Sequence, residues 1–205
     1  MGMFSKFWNT NARPEGWLGR FALRMMNLTH TPMAQWNLSF IDFQPDWTIL
    51  DVGCGGGKNI ARMLKRCPQG QVYGIDYSEE SIANIKTMQG DVGALPFEED
   101  TFDYVLCMNG LHVFPNKDKA YSEILRTLKP GGELLACFYI AGEQKVADWL
   151  AKTVMTRMGW FTPPFDTAND VRKRLEPYYE ILDYHVEGAM LYFKAKKKSI
   201  SLQHE

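Results

Sequence analysis

From Trp47 onward, short apolar runs alternate with stretches whose apolar residues recur every three or four positions. The first run, WTILDV over 47–52, predicts a strand. A helix follows in which Ile60, Leu64 and Cys67 recur at i, i+4 and i+7, ended by Pro68 and Gly70. QVYGID over 71–76 predicts the second strand; Ser78 then reads as an N-cap, with Glu79 and Glu80 in the first turn where carboxylates suit the helix dipole. FDYVLCMN over 102–109 predicts another strand, and the helix after Pro115 sets Tyr121, Ile124, Leu125 and Leu128 on one face before KPGG stops it. ELLACFYI is the next strand, followed by a helix carrying Val146, Trp149, Leu150 and Val154. YYEILDYHV and AMLYFKA, separated by Glu187 and Gly188, read as a closing hairpin. Strands alternating with helices predict an α/β fold with a mostly parallel sheet and helices on its faces.

Ahead of the first strand, Leu18, Phe21, Ala22 and Met25, then Met33, Trp36, Asn37 and Phe40, recur at helical spacing. Two readings stand for this stretch: ordinary core packing, or a helical cap over 1–44 folding across the open end of the sheet. The core then runs over 45–140 and a C-terminal part with helix and hairpin over 141–205, all one domain, as a chain of 205 residues with 45 % hydrophobic and 23 % charged side chains can be.

The net charge of −1 offers no field to attract nucleic acid or an anionic membrane, and the basic cluster Lys194, Lys196, Lys197 and Lys198 reads as a solvated tail. Four dispersed cysteines without a C-x-x-C pair predict a reduced, cytoplasmic protein with no structural zinc. The N-terminus lacks the apolar core of a signal peptide, and no run approaches the ~18 apolar residues of a membrane span. Lys6 stands where a myristoylation signal wants a small hydroxyl residue.

The candidate chemistry begins at ILDVGCGGGKN, residues 49–59, where an acidic residue precedes four glycines spread over five places. Where a parallel strand turns sharply into a helix, glycine tolerates positive φ and lets the backbone approach a ligand, and the N–H groups of the helix start face the same crevice. A nucleotide-like ligand is expected. A dinucleotide fingerprint needs G-x-G-x-x-G, and counting from Gly53 that pattern breaks at Lys58. Asp51 also weighs against it, because a carboxylate beside the loop repels a pyrophosphate and could hold a cationic amine. A ligand with an adenine, a ribose and an ammonium group but no phosphate fits better.

At this point the sequence resembles the class I S-adenosylmethionine-dependent methyltransferases, and within them the group that includes ubiquinone and menaquinone biosynthesis enzymes. ILDVGCGGG is similar to that family's first motif, GIDYSEE to its second, GDVGALPFEEDTFDYVLCMNGLHVF to its third and fourth, and EILRTLKPGGELL to the helix and turn before strand five. The resemblance implies a three-layer α/β/α sandwich, Rossmann-like, with seven strands in the order 3-2-1-4-5-7-6 and only strand seven antiparallel. It implies S-adenosylmethionine as cofactor, with S-adenosylhomocysteine as product. Gly53, Cys54 and Gly55 would pass close to its amino-acid end, supported by Asp51 directly or through water. Asp76 would accept from both ribose hydroxyls and Tyr77 would flank the adenine. Asp91 would receive the exocyclic amine, the Val92 backbone would read the ring edge, and Asn109 would line the methionine portion. Each acidic assignment competes with a plain surface carboxylate.

In one respect the chain departs from the family. Only EESIANIKTMQG stands between Ser78 and Asp91, where a helix, a loop and strand three belong, so the helix is cut to about two turns with a stubby strand or a segment is omitted. The shortening puts the reach of Asp91 to adenine in doubt.

Methyl transfer from a sulfonium draws its reactivity from the cofactor, and alignment is the protein's task. A base matters only for an acceptor that arrives protonated; His112, in NGLHVF just beyond strand four, is the candidate, against the reading of a histidine bonded to the backbone. Aromatic residues in both caps, Trp36 and Phe40 at one end and MGWFTPPF over 158–165 at the other, suggest a small organic acceptor with apolar surface. The NPPY type of signature of some amino- and nucleic-acid-methylating relatives is missing after strand four. Three functions therefore compete: a small-molecule methyltransferase, a methyltransferase acting on RNA or protein, and a nicotinamide-dependent oxidoreductase or non-catalytic nucleotide-binding module.

Overall fold

The computed structural model describes residues 37–77 and 87–199. The expected cap over 1–44 therefore lies largely outside the described residues, as do Trp36, the N-cap Ser78 and the shortened helix after it. What is described of the cap is one helical turn at 37–39 and the stretch that leads into the sheet. There Leu38 and Ile41 are buried, while Phe40 is 57 % exposed and so is not a core residue.

Seven strands form one sheet in the order β3-β2-β1-β4-β5-β7-β6. They are β1 (Thr48–Val52), β2 (Gln71–Asp76), β3 (Thr87–Gln89), β4 (Phe102–Met108), β5 (Leu128–Tyr139), β6 (Tyr179–Glu187) and β7 (Met190–Lys197). The first five pair in parallel, and β7 runs antiparallel to both β5 and β6. The expected order and the single reversed strand are both present. The hairpin turn falls at Gly188 and Ala189, with Gly188 at φ +64°, and its tightness sets β6 and β7 side by side and antiparallel, with β7 the strand that meets β5. β3 is a three-residue stub, in keeping with the short stretch that precedes it.

Helices α1 (Lys58–Leu64), α2 (Lys117–Thr127), α3 (Lys145–Leu150) and α4 (Ala168–Leu175) complete the described elements. The central strands β1, β4 and β5 are mostly apolar where helices cover both faces. Leu50, Val105, Cys107, Ala136 and Phe138 join one core with Ala120, Tyr121 and Ile124 of α2 and Val171 and Leu175 of α4. The alternating residues Ile49, Tyr104, Leu106 and Leu135 join a second core with Ile60 and Met63 of α1. Burying one such Leu or Ile is worth about 1.5–3 kcal/mol, so these two layers hold the sheet rigid beneath whatever binds at its end.

Two expectations are corrected. KPGG does not separate helix from strand: β5 already begins at Leu128, directly after α2. The stripe predicted on the helix after β5 is not core, because α3 leaves the sheet end and packs on neither layer; Val146 is 73 % and Trp149 60 % exposed, and its last turn widens over Ala151–Met155.

Connections run from β1 to β2 and β3 on one side and on to β4 and β5 on the other, so the strand order reverses between β1 and β4. Open α/β sheets bind ligands at that point, outside the carboxyl ends of the strands.

Candidate active site

β1 ends in the glycine-rich turn at the switch point. Gly53 and Gly55 have φ of +73° and +50°, a region that side chains with Cβ rarely enter, and Gly57 at +69° caps α1. At Gly55 an added Cβ would meet nothing within 4 Å, so here the turn faces open space and its requirement for glycine is conformational.

The N–H groups of this turn are used differently from the sequence-based expectation. Gly53 and Cys54 N–H both donate to Ile75 O, at 2.8 and 3.2 Å, and Gly57 N–H donates to Cys54 O at 3.0 Å. Gly55 N–H donates to Asp76 Oδ2 at 2.9 Å. The turn folds onto the end of β2 and satisfies its own donors, so these four N–H groups are not a cradle for phosphate. The Cys54 side chain belongs to the core on the α1 face.

Two carboxylates flank the turn. Asp76 ends β2 and is held by Gly55. Asp51 sits in β1, 1 % exposed, and its Oδ2 is buried with no hydrogen-bond partner among the described residues. Burial first, and the charge of Asp76 second, push the Asp51 carboxyl from 3.8 up to about 7. An orphaned buried carboxyl oxygen beside a second carboxylate fits a ligand that brings a cation and hydroxyl donors, as S-adenosylmethionine does, and disfavours an anionic one.

The crevice continues toward β3. Tyr77 follows Asp76 with its ring 54 % exposed. Gly90 N–H donates to Asp76 O at 2.9 Å, which brings Asp91 next to the end of β2. Asp91 is exposed and caps a short turn over Val92–Ala94, its Oδ1 accepting from Gly93 N–H at 2.8 Å; Val92 is buried. Across the switch point, Asn109 leaves β4 at φ +59° and donates its N–H to Cys137 O at 2.6 Å.

His112 lies apart from these, on the β5 side. It is 6 % exposed, and its Nδ1 accepts from the Tyr139 N–H at 3.4 Å, so the reading of a histidine bonded to the backbone holds. Phe161 packs on its ring at 4.2 Å, and Tyr139 meets Phe161 at 5.1 Å and Phe165 at 5.6 Å. The segment bearing these rings is fastened to the loop after β4. Thr162 N–H donates to His112 O at 3.0 Å, Thr162 Oγ1 to Val113 O at 2.7 Å, and Lys117 Nζ to Thr162 O at 2.6 Å.

Three features escaped the sequence reading. Gly74 lies inside β2, where an added Cβ would fall 2.3 Å from Ile60 Cδ1 and 2.8 Å from Cys54 Sγ, so it admits α1 and the glycine turn close to the sheet. Gly110 does the same beneath Phe114. Tyr139 donates its phenol proton to Asp148 Oδ1 at 2.7 Å, and Asp148 Oδ2 accepts from Gly142 N–H at 3.0 Å. Only a phenol closing an apolar strand hinted at this pair; its partner nine positions later carries no local signal.

Comparison with known proteins places this geometry. Residues 50–136 match the family model described as "Methyltransferase domain". Squalene methyltransferase 1 of Botryococcus braunii is 33 % identical over 129 residues, 55 % of this chain and 34 % of its own length. Demethylmenaquinone methyltransferase of Staphylococcus aureus is 42 % identical over 94 residues, 40 % of this chain and 39 % of its own. The chain thus spans little more than a third of either relative. A putative methyltransferase solved in complex with the Haloferax volcanii Trm112 methyltransferase activator shares the fold with a TM-score of 0.77, over 94 % of this chain and 98 % of that one, at 16 % identity. The matched stretch contains the paired carboxylates, the glycine turn and His112, and ends before Tyr139, Asp148 and Phe161. Over residues 50–136 this chain is similar to the S-adenosylmethionine-dependent methyltransferases, a likeness that points to S-adenosylmethionine as the cofactor.

Proposed function

We propose that this chain transfers the methyl group of S-adenosylmethionine to a small organic acceptor. The observation that carries the reading is the pair Asp51 and Asp76 beside a glycine turn in which the N–H groups of Gly53, Cys54, Gly55 and Gly57 are already satisfied. Asp76 would hold the ribose diol, Asp51 the amino-acid end, Tyr77 one face of the adenine, and Asp91 with the Val92 backbone its edge. Gly53, Cys54, Gly55 and Asn109 would shape the backbone around the methionine portion. Bound there, the cofactor supplies an activated methyl on a sulfonium.

The chain's own contribution is alignment, which accounts for roughly 7–11 kcal/mol of barrier lowering when two reactants are held as near-attack conformers. With Nδ1 accepting a backbone N–H, the neutral His112 ring carries its proton on Nε2. It would line the acceptor side of the site together with Phe161.

An apolar acceptor is supported by the rings of Phe161, Phe165 and Tyr139 at the carboxyl end of β5, and by relatives named for squalene and demethylmenaquinone. A second reading, a methyltransferase of macromolecules working with a partner, draws on the near full-length fold match to the activator-bound methyltransferase. The net charge of −1 speaks against a nucleic-acid acceptor. Four buried thiols without a disulfide suit a reducing, cytoplasmic setting, and among the described residues no helix is long and apolar enough to cross a membrane.

Thermal unfolding with added ligand tests the function. At about 100 times its Kd, S-adenosylhomocysteine should stabilise by about 2.7 kcal/mol and raise Tm by roughly 5–10 °C. NAD should leave Tm unchanged; the reverse pattern would assign the site to a dinucleotide.

A further inference from the structure

We infer that Tyr139 and Asp148 form a proton relay that accepts the hydroxyl proton of an aromatic methyl acceptor. The inference rests on the proposed methyltransferase reading and names the acceptor class and the groups that activate it. Tyr139 is the last residue of β5, so its phenol lies at the crevice end of the strand beside β4. It is 5 % exposed and walled by His112, Phe161 and Phe165. A flat apolar ring that joined this aromatic cluster would gain stacking and edge contacts.

The hydrogen bonds set the direction of proton flow. Tyr139 Oη donates to Asp148 Oδ1 at 2.7 Å, which leaves the lone pairs of Oη to accept from a second hydroxyl. Asp148 Oδ2 is fixed by Gly142 N–H at 3.0 Å, so the carboxylate is oriented from both ends: by the strand phenol and by the backbone of the loop after β5. The titratable groups facing Tyr139 are Asp148 from α3 and His112 from the loop after β4; the segment over 160–165 turns aromatic rings toward it. Burial foremost, and the bond to Asp148 next, push the phenol above its ordinary value. Tyr139 therefore works as a conduit and does not persist as tyrosinate.

The acceptor O–H bond breaks and its proton passes to Tyr139 Oη while the original phenol proton passes to Asp148 Oδ1. The acceptor oxygen forms its bond to the methyl carbon as the carbon–sulfur bond breaks, and that electron pair stays on sulfur. Asp148 then releases the proton to water. Tyr139 touches the acceptor and is a catalytic residue; Asp148 acts through it and is a positioning residue. His112, holding the Tyr139 backbone N–H, places the strand end.

A simple structural staple between α3 and β5 would use the same bond, and the test separates the two. The probes are S-adenosylmethionine and a series of substituted phenols and naphthols whose hydroxyls run from weakly to strongly acidic, with the full chain, Tyr139→Phe and Asp148→Asn. The relay predicts that both variants bind S-adenosylhomocysteine as the wild type does. Turnover should fall by about 10²–10⁴ on weakly acidic members and be nearly unchanged on those already ionised, with the rate gap closing as pH rises. An equal loss across the series, no loss at all, or a wild type that binds S-adenosylhomocysteine yet methylates no member overturns the relay alone. A wild type that binds neither form of the cofactor removes the proposed function, and the relay with it.

Discussion

Replacing Asp76 by alanine is expected to weaken S-adenosylmethionine binding by more than tenfold, read by calorimetry on a folded protein. The carboxylate has two tasks that end together. Its Oδ2 accepts from Gly55 N–H at 2.9 Å and so holds the glycine turn against β2. The same group is the proposed acceptor for the ribose hydroxyls. Hydrogen bonds to a charged acceptor are worth about 1.5–3 kcal/mol each, and about 1.4 kcal/mol is one tenfold step in Kd, so water must replace nearly all of the loss for affinity to survive. Asp76→Asn should fall between, since it keeps an acceptor oxygen without the charge. Unchanged affinity in the alanine variant would take Asp76 out of the site.

Gly74→Ala should be a damaging single methyl addition in the cofactor half. The new Cβ would lie 2.3 Å from Ile60 Cδ1 and 2.8 Å from Cys54 Sγ, separations that side chains never tolerate at rest. Ile60 is fully buried between α1 and the sheet and has nowhere to retreat, so α1 must lift. Overpacking of this kind costs about 1–3 kcal/mol, or several degrees of Tm in a chain of this size. Because α1 carries Gly57 at its N-cap, the shift also moves the glycine turn, and S-adenosylhomocysteine should bind more weakly in the variant. Gly55→Ala offers the contrast: its Cβ meets nothing, so the loss there comes from φ +50° alone and should be smaller in stability.

The contrast also shows what the sequence could carry. Strands β1, β2 and β4 were legible because burial makes their central residues apolar, and the closing hairpin because Glu187 and Gly188 separate two strand-like runs. Order within the sheet came from the family resemblance, since periodicity says nothing about which strand lies beside which. The acidic residues Asp51 and Asp76 stood out as charges at the ends of apolar runs. What did not show was the fate of the loop's N–H groups: the same glycines could have cradled a phosphate, and only the fold onto Ile75 O and Asp76 shows otherwise. Gly74 was hidden because glycine inside a strand has no signature for what passes over it. Trp149 misled in the other direction, since helical spacing marks a face without saying whether anything covers it.

The central claim is that Asp51 and Asp76 receive a cationic cofactor, and proton-linked calorimetry tests it most directly. In the ligand-free protein the Asp51 carboxyl titrates at about 7, raised by burial and by Asp76. A cation brought beside it favours the ionised form, so below that pH binding must expel a proton and is weaker for it. S-adenosylmethionine affinity should rise as pH climbs toward about 7 and level off above, with a proton released near neutrality that buffers of different ionisation enthalpy reveal. Asp51→Asn should flatten the profile and abolish the release. Affinity that is independent of pH in the wild type, with no proton released on binding, would contradict the account.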